Sequence, residues 1–275
     1  MTFLQACTLF LAAMLGGALN SVAGGGSFIS FPAILLSFPG IPDIPIRANA
    51  TNTVALWPGS MASVGAYRRE LGAQRQVMLP LAAVSLVGGI AGALLLLRTP
   101  SATFNQMIPF LLLFATLLFT FNKSITSRLR ALRRNPVNDP ASAVQADTDQ
   151  RPRVWTVAFG GVLLLQLATA IYGGFFGGGI GIVMLALLSL LGMDHIHEMN
   201  ALKTFLAVCI NGVAVVTFTL AGTVLWPQAA LMVVGAIIGG YGGAHYARQI
   251  DPKLVRRFVI GVGFVMTFYF FFLRR

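Results

Sequence analysis

Two glycine triplets carry the chemistry this sequence offers: Gly24, Gly25 and Gly26 followed by Ser27, and Gly177, Gly178 and Gly179 followed by Ile180 and Gly181. Each interrupts an apolar run, N-S-V-A-G-G-G-S-F-I-S-F-P from Asn20 and Y-G-G-F-F-G-G-G-I-G-I-V-M from Tyr172. Glycine exposes backbone N–H groups with no side chain in the way, and a helix restarting at Ser27 or Ile180 would aim its positive end at whatever binds there. That arrangement favours an anion. Polar side chains recur in the same way: Asn49, Asn52 and Thr53 share one helix face by i, i+3, i+4 spacing, and so do Asn200, Lys203 and Thr204. Lys203 stands where the first set has Asn52. A lysine near an apolar span needs a cavity or a partner, which makes it a candidate ligand for the anion, unless it begins its helix and snorkels to water.

The elements that must position these residues are membrane helices. Of the 275 residues, 56% are hydrophobic and only 10% charged, far from a soluble composition. The chain reads as an all-α, polytopic membrane protein, in which the bilayer supplies the apolar solvent and each helix satisfies its own backbone. The formal charge of +11 lies in short loops between apolar spans, which points to membrane orientation rather than nucleic acid. Cys7 and Cys209 both fall in apolar segments, so no structural disulfide is expected. No Lys or Arg precedes Arg47, so the first span lacks the basic start of a signal peptide and reads as a membrane helix.

Eight long apolar segments are expected, at about 3–23, 48–67, 77–97, 103–122, 154–176, 199–221, 227–247 and 255–273, with two short ones, 27–38 and 180–192, after the glycine breaks. The polar stretch 123–153 reads as a flexible cytoplasmic linker between a first membrane repeat, 1–122, and a second, 154–275. Laid over each other, the repeats align Leu35-Leu36-Ser37 with Leu187-Leu188-Ser189, Asn49-Ala50 with Asn200-Ala201, Thr53 with Thr204, and Gly88, Gly89 and Gly92 with Gly239, Gly240 and Gly243. Internal duplication of this kind is the plan of many secondary transporters. If the short stretches also cross, the Arg248 to Arg257 group joins the linker on one side, and the basic loop at Arg68 to Arg75 has an uncharged copy near 219–226. Charge that moves to the other loop favours inverted repeats.

Blander readings compete at each point. Gly173, Gly177 and Gly181, and Gly235, Gly239 and Gly243, also have the small-xxx-small spacing of packed helices, and that reading suits the second set. The run Asp194-His195-Ile196-His197-Glu198 has metal-ligand types, and an intramembrane enzyme or metal-handling assembly factor would have to be built from it, but its first-half counterpart has no histidine and a polar loop explains it. His245 could titrate near neutral pH, though an interfacial position suits it better. Every Asp and Glu lies in a loop, and no catalytic, cofactor or metal motif emerges.

Residues 20–27 leading to Pro32, their echo at 173–181, the segments 49–53 and 200–204, and two four-span halves together resemble the sulfite exporter TauE/SafE family, also called the 4-toluene sulfonate uptake permeases. The resemblance covers essentially the whole chain outside 123–153. It implies a multi-pass transporter of the cell inner membrane, an exporter of small sulfur-containing anions such as sulfite, sulfoacetate or other organosulfonates, working without a cofactor. The second break departs from the first, with Phe175 and Phe176 before it and Gly181 where the first has Phe28. The two copies therefore need not contribute equally.

Overall fold

The computed structural model describes residues 1–22, 25–66, 71, 75–133, 157–191, 193, 195–246 and 252–273. Ten α-helices run through them and no strand occurs among them: α1 (Phe3–Val22), α2 (Ser27–Ser37), α3 (Ile44–Ala66), α4 (Arg75–Arg98), α5 (Ser101–Arg133), α6 (Val157–Phe175), α7 (Ile180–Leu190), α8 (Ile196–Leu220), α9 (Trp226–Tyr246) and α10 (Pro252–Phe272). The short helices α2 and α7 are the products of the glycine breaks. Gly25, Gly177 and Gly179 hold φ of 91°, 79° and 77°, a left-handed backbone that a side chain would strain.

Four stretches among the described residues are long and apolar enough to cross a membrane: Phe3–Asn20, Gln76–Arg98, Ser101–Phe121 and Glu198–Leu220. Shorter apolar stretches occupy Phe159–Phe175 and Arg257–Phe272, beside α2 and α7 themselves. Helix α3 is equally long, but Arg47, Asn49, Thr51, Asn52 and Thr53 crowd its first half. The outer surface is greasy: Leu79, Val87 and Leu95 on α4, Phe110 and Phe114 on α5, Ile237 and Ile238 on α9 and Val265 and Phe268 on α10 are all exposed. In water such patches are a liability, whereas lipid tails solvate them at no cost.

One expectation fails at the end of the first repeat. Residues 123–133, read as flexible linker, continue α5 as far as Arg133. The run K-S-I-T-S-R-L-R-A-L-R holds no glycine or proline, so nothing in it stops a helix until Pro136 approaches. The rest of the linker, like Arg68, Arg69 and Arg248, lies outside the described residues.

Contacts fix the direction of each helix. The chain turns back after α1, because Gly26 packs on Gly16 and Gln5 Nε2 donates to Ser37 O at 2.8 Å, so α2 returns antiparallel along α1. Helix α3 then runs parallel to α1. Its middle residue Asn52 meets the start of α2, and Ser60, near its end, accepts from Asn20 Nδ2 at 3.1 Å, near the end of α1. Against α8 it is antiparallel, since Arg47 reaches Gly222 O (3.4 Å), Leu225 N–H reaches Thr51 Oγ1 (3.0 Å) and Trp57 Nε1–H reaches Val208 O (3.1 Å).

The tightest pairings join the two halves. Helix α1 lies along α9 and α4 along α6, each pair parallel and each with backbones in contact through glycine. A Cβ added at Gly239 would collide with Met14 O, one at Gly17 with Ala236 O, one at Gly92 with Ile171 O and one at Gly174 with Gly89 O. Gly235 also packs on Phe10 and Met14 of α1, so Gly235 and Gly239 serve packing, whereas Gly242 faces open space. Two apolar cores result, one around α2 with Phe28, Phe31, Ile34 and Leu35, the other around α7 with Ile180, Met184, Leu187 and Leu188. Each broken helix therefore has a core of its own.

Valine at Gly239 or Gly92 is expected to lower stability by about 1–3 kcal/mol or prevent folding, through forced separation of two backbones. Alanine at Gly160 or Gly161, which face open space, should leave the detergent melting temperature within a degree or so of wild type.

Candidate functional site

The structure treats the two breaks differently. At the first, Gly24 lies outside the described residues, Gly25 is crowded by the rings of Phe119 and Phe28 and by Val259, and Gly26 lies backbone to backbone on Gly16. The first turn of α2 is largely satisfied from within: the N–H groups of Phe28, Ile29 and Ser30 donate to Gly25 O and Gly26 O at 3.1–3.2 Å. The N–H groups of Gly25, Gly26 and Ser27 meet no acceptor among the described residues, and Asn52, 2% exposed, holds the side chains of this turn rather than its remaining amides. Its Nδ2 donates to Ser27 Oγ at 3.1 Å and its Oδ1 accepts from the Ser30 hydroxyl, tying α3 to the start of α2. Thr53 returns its hydroxyl to Asn49 O (2.9 Å), and Asn49 Nδ2 reaches across to Phe175 O (3.0 Å) at the end of α6.

At the second break one more amide goes unmet among the described residues and the hydroxyl side chains are absent. Gly179 caps α7 in a left-handed conformation with no side-chain cap, and of the first-turn amides Ile182 N–H alone is met, by Gly179 O at 3.1 Å. Among the described residues no acceptor meets the N–H of Gly178, Gly179, Ile180 or Gly181. Positions that in α2 are Ser27, Phe28 and Ser30 are here Ile180, Gly181 and Val183, so the hydroxyls that held Asn52 are gone. Lys203 comes in instead. Its aliphatic stem lies against Gly181, with Cδ 3.2 Å and Cε 3.7 Å from where a Cβ would stand, so the absent side chain makes room for the lysine. Lys203 is five residues inside the apolar span that opens at Glu198, about 7.5 Å along the helix. Among the described residues no acidic side chain pairs with it.

Lys203 and Asn211 lie on one stripe of α8 by i, i+4, i+8 spacing, and Asn211 Oδ1 stands 3.9 Å from the position of a Cβ on Gly177. The stripe thus brackets the break, with an ammonium at its α7 end and an amide at its α6 end. Asn211 escapes a reading of the matched polar faces because its first-half counterpart is Ser60. The i+8 spacing from Lys203 is the signal that finds it. Tyr172 closes the loop by donating from its hydroxyl to Gly178 O at 2.7 Å, and the Phe176 ring lies over Gly178.

The two polar sets do not converge on one point. Helices α3 and α8 cross at Trp57 and Val208, and Asn52 and Lys203 each precede that crossing by five residues on antiparallel helices, so they lie about 15 Å apart along the pair. The breaks themselves are closer. Ala115 touches Gly178 and Gly179, and Phe119, one turn on along α5, touches Gly25. Phe31 of α2 packs edge-on against Phe176 (centroids 5.7 Å). Asn200 is half-buried, with its carbonyl accepting from Thr204 Oγ1 at 2.7 Å. Of the polar loop, Asp194 lies outside the described residues and His195 is exposed. No group of three or more His, Cys, Asp or Glu side chains among the described residues could hold a metal ion. His245 has no described side-chain surroundings.

The sequence matches the family described as Sulfite exporter TauE/SafE over residues 9–270. A protein of Sinorhizobium sp named "Probable membrane transporter protein ORF9" is 30% identical over 260 residues, covering 94% of this chain and 89% of the relative. A Haemophilus influenzae protein named "Probable membrane transporter protein" is 30% identical over 267 residues, covering 94% and 91%. "Probable membrane transporter protein YfcA" of Escherichia coli K12 is 27% identical over 261 residues, covering 94% and 87%. No solved structure matches.

Asn52→Ala should leave the Ser27 and Ser30 hydroxyls without their partner and lower stability by about 1–3 kcal/mol. The readout is the melting temperature in detergent, and an unchanged value would mean that the tie between α3 and α2 holds nothing.

Proposed function

This chain belongs to the sulfite exporter TauE/SafE family and is a membrane transporter, and from that premise we propose that it moves small sulfur-containing anions such as sulfite, sulfoacetate or other organosulfonates, as an exporter in the cell inner membrane. The observation that carries the substrate class is the second break: among the described residues, the four consecutive backbone amides of residues 178–181 lack acceptors beside a lysine that no acidic side chain pairs. Uncompensated donors at membrane depth cost several kcal/mol each, and an oxyanion supplies what all of them need. Its sulfonate-like oxygens would accept from the amides at the positive end of α7 while Lys203 neutralises the charge, together replacing the hydration shell.

The site is thus assigned to Gly177, Gly178, Gly179 and Lys203, with Asn211 at its α6 end and Asn200 and Thr204 on the same helix. Gly25, Gly26, Ser27, Asn52 and Thr53 then play the matching structural part in the first repeat. The inverted plan of residues 1–122 and 154–275 gains support from helix direction, since α3 runs with α1 and against α8, as five passes per repeat require. Trp57 and Val208, which touch, occupy equivalent positions when the repeats are laid over each other. On this plan all ten helices contribute passes, the short α2 and α7 included.

Lys203→Asn, which copies Asn52, is expected to weaken sulfonate binding by more than about 1.4 kcal/mol, or tenfold. Lys203→Arg should retain part of the affinity, because the charge stays while the geometry changes. Equilibrium titration of purified wild type and both variants decides it, and equal dissociation constants in all three would remove Lys203 from the site.

For orientation, a cysteine placed at Arg98 should react with a membrane-impermeant reagent applied from the periplasm, while one at Lys253 should not. Modification at Lys253 would restore parallel repeats.

A further inference from the structure

The loop that joins α6 to α7 has two ends of opposite character. Beyond the amides of residues 178–181, the C-terminal end of α6 presents acceptors: Tyr172 O takes the N–H groups of Phe176 and Gly177, Phe175 O takes Asn49 Nδ2, and no donor among the described residues meets the carbonyls of Gly173 or Gly174. Asn49 Oδ1 faces the same problem. Asn49 is 1% exposed, and this oxygen is the one buried side-chain nitrogen or oxygen among the described residues that has no hydrogen-bond partner. Its own amide nitrogen, bonded to Phe175 O, anchors it at the α6 terminus. An unpaired amide oxygen beside the negative end of a 19-residue helix is a place where only a donor or a cation is stabilised.

We propose that Asn49 Oδ1 and the carbonyl oxygens released at the C-terminal end of α6 bind a small monovalent cation. The oxygen set is neutral and hard, which suits an alkali ion. A divalent ion in this low-dielectric setting would need carboxylates, and none of the ligands is one. A proton has no titratable group here to carry it. Carbonyls at a broken helix end are a recurring way for transporters to hold a sodium ion close to an anionic substrate held by the opposing helix N-terminus. The cation site stands on the orphaned Asn49 oxygen. Its pairing with the anion across the break rests on the function proposed above.

The test is thermal unfolding of the purified full chain in detergent, with no sulfonate present, in equimolar sodium, potassium and choline chloride. Sodium is expected to raise the melting temperature of wild type by about 3–5 °C over choline. Asn49→Ala should abolish that rise, and Asn49→Asp, which keeps the oxygen and adds charge, should shift the sodium midpoint at least about threefold lower. Potassium matching sodium in wild type would leave the site in place with the larger ion as an equal ligand. Identical curves in sodium, potassium and choline would overturn the proposal and leave the Asn49 oxygen to an ordinary water. So would an equal sodium rise in wild type and Asn49→Ala, and if Asn49→Ala does not fold, an unchanged midpoint in Asn49→Asp does the same. A sodium rise lost in Asn49→Ala, together with no sulfonate binding, would overturn the anion reading and leave this site standing.

Discussion

Everything distinctive in this molecule follows from the rule that a backbone polar group inside a bilayer must find a partner. A helix meets the rule by itself, so an unbroken bundle would need no polar chemistry at depth. Two breaks suspend it. At the first, Gly25 and Gly26 accept the amides of residues 28–30 and Asn52 holds the hydroxyls of Ser27 and Ser30, while among the described residues no acceptor meets the N–H groups of Gly25, Gly26 or Ser27. At the second, the four amides of residues 178–181 go unmet among the described residues, and a lysine stands in place of Asn52. On the function proposed above, that unmet requirement is what makes the second break a place for a solute.

Breaks of this kind need rigid neighbours, because an unwound segment contributes little packing of its own. The parallel pairs α1/α9 and α4/α6 provide that rigidity, and their glycines bring backbones together closely enough that dispersion and shape stand in for the hydrophobic effect, which has no force between helices in lipid. Each pair joins one helix from each half of the chain. A change at one break is therefore carried into the other half through contacts that cannot slide without separating backbones. The aromatic contacts Phe28 with Phe119 and Phe31 with Phe176 add a second link around α5, between the neighbourhoods of the two breaks.

Much of this was legible in the sequence because glycine, proline and composition act locally. The class, the positions of the long helices and the existence of both breaks follow from apolar runs and their interruptions. Helix α5 outran its apolar stretch because polarity marks the edge of lipid, whereas only a residue such as Pro136 marks the end of a helix. Helix α3 is not among the long apolar spans because Arg47, Asn49, Thr51, Asn52 and Thr53 lower the apolar signal of a helix that is nonetheless there. The role of Asn52 was not legible. Its spacing matched Lys203, but whether an amide binds a solute or ties two helices depends on Ser27 and Ser30, which only the fold brings to it.

The difference between the two breaks has a physical logic of its own. Replacing Ser27 and Ser30 by Ile180 and Val183 removes the partners of the amide at the Asn52 position, and an asparagine left there would be a buried, unsatisfied group. Lysine relieves that problem in a different way: its stem lies on apolar surface at Gly181 while its charge demands a counter-ion. Gly181 in place of Phe28 is the complementary change, since a phenyl ring there would occupy the path of the lysine. The four differences are mutually consistent: Ile180 and Val183 remove the hydroxyls that hold Asn52, Lys203 replaces that amide, and Gly181 gives the lysine stem its path.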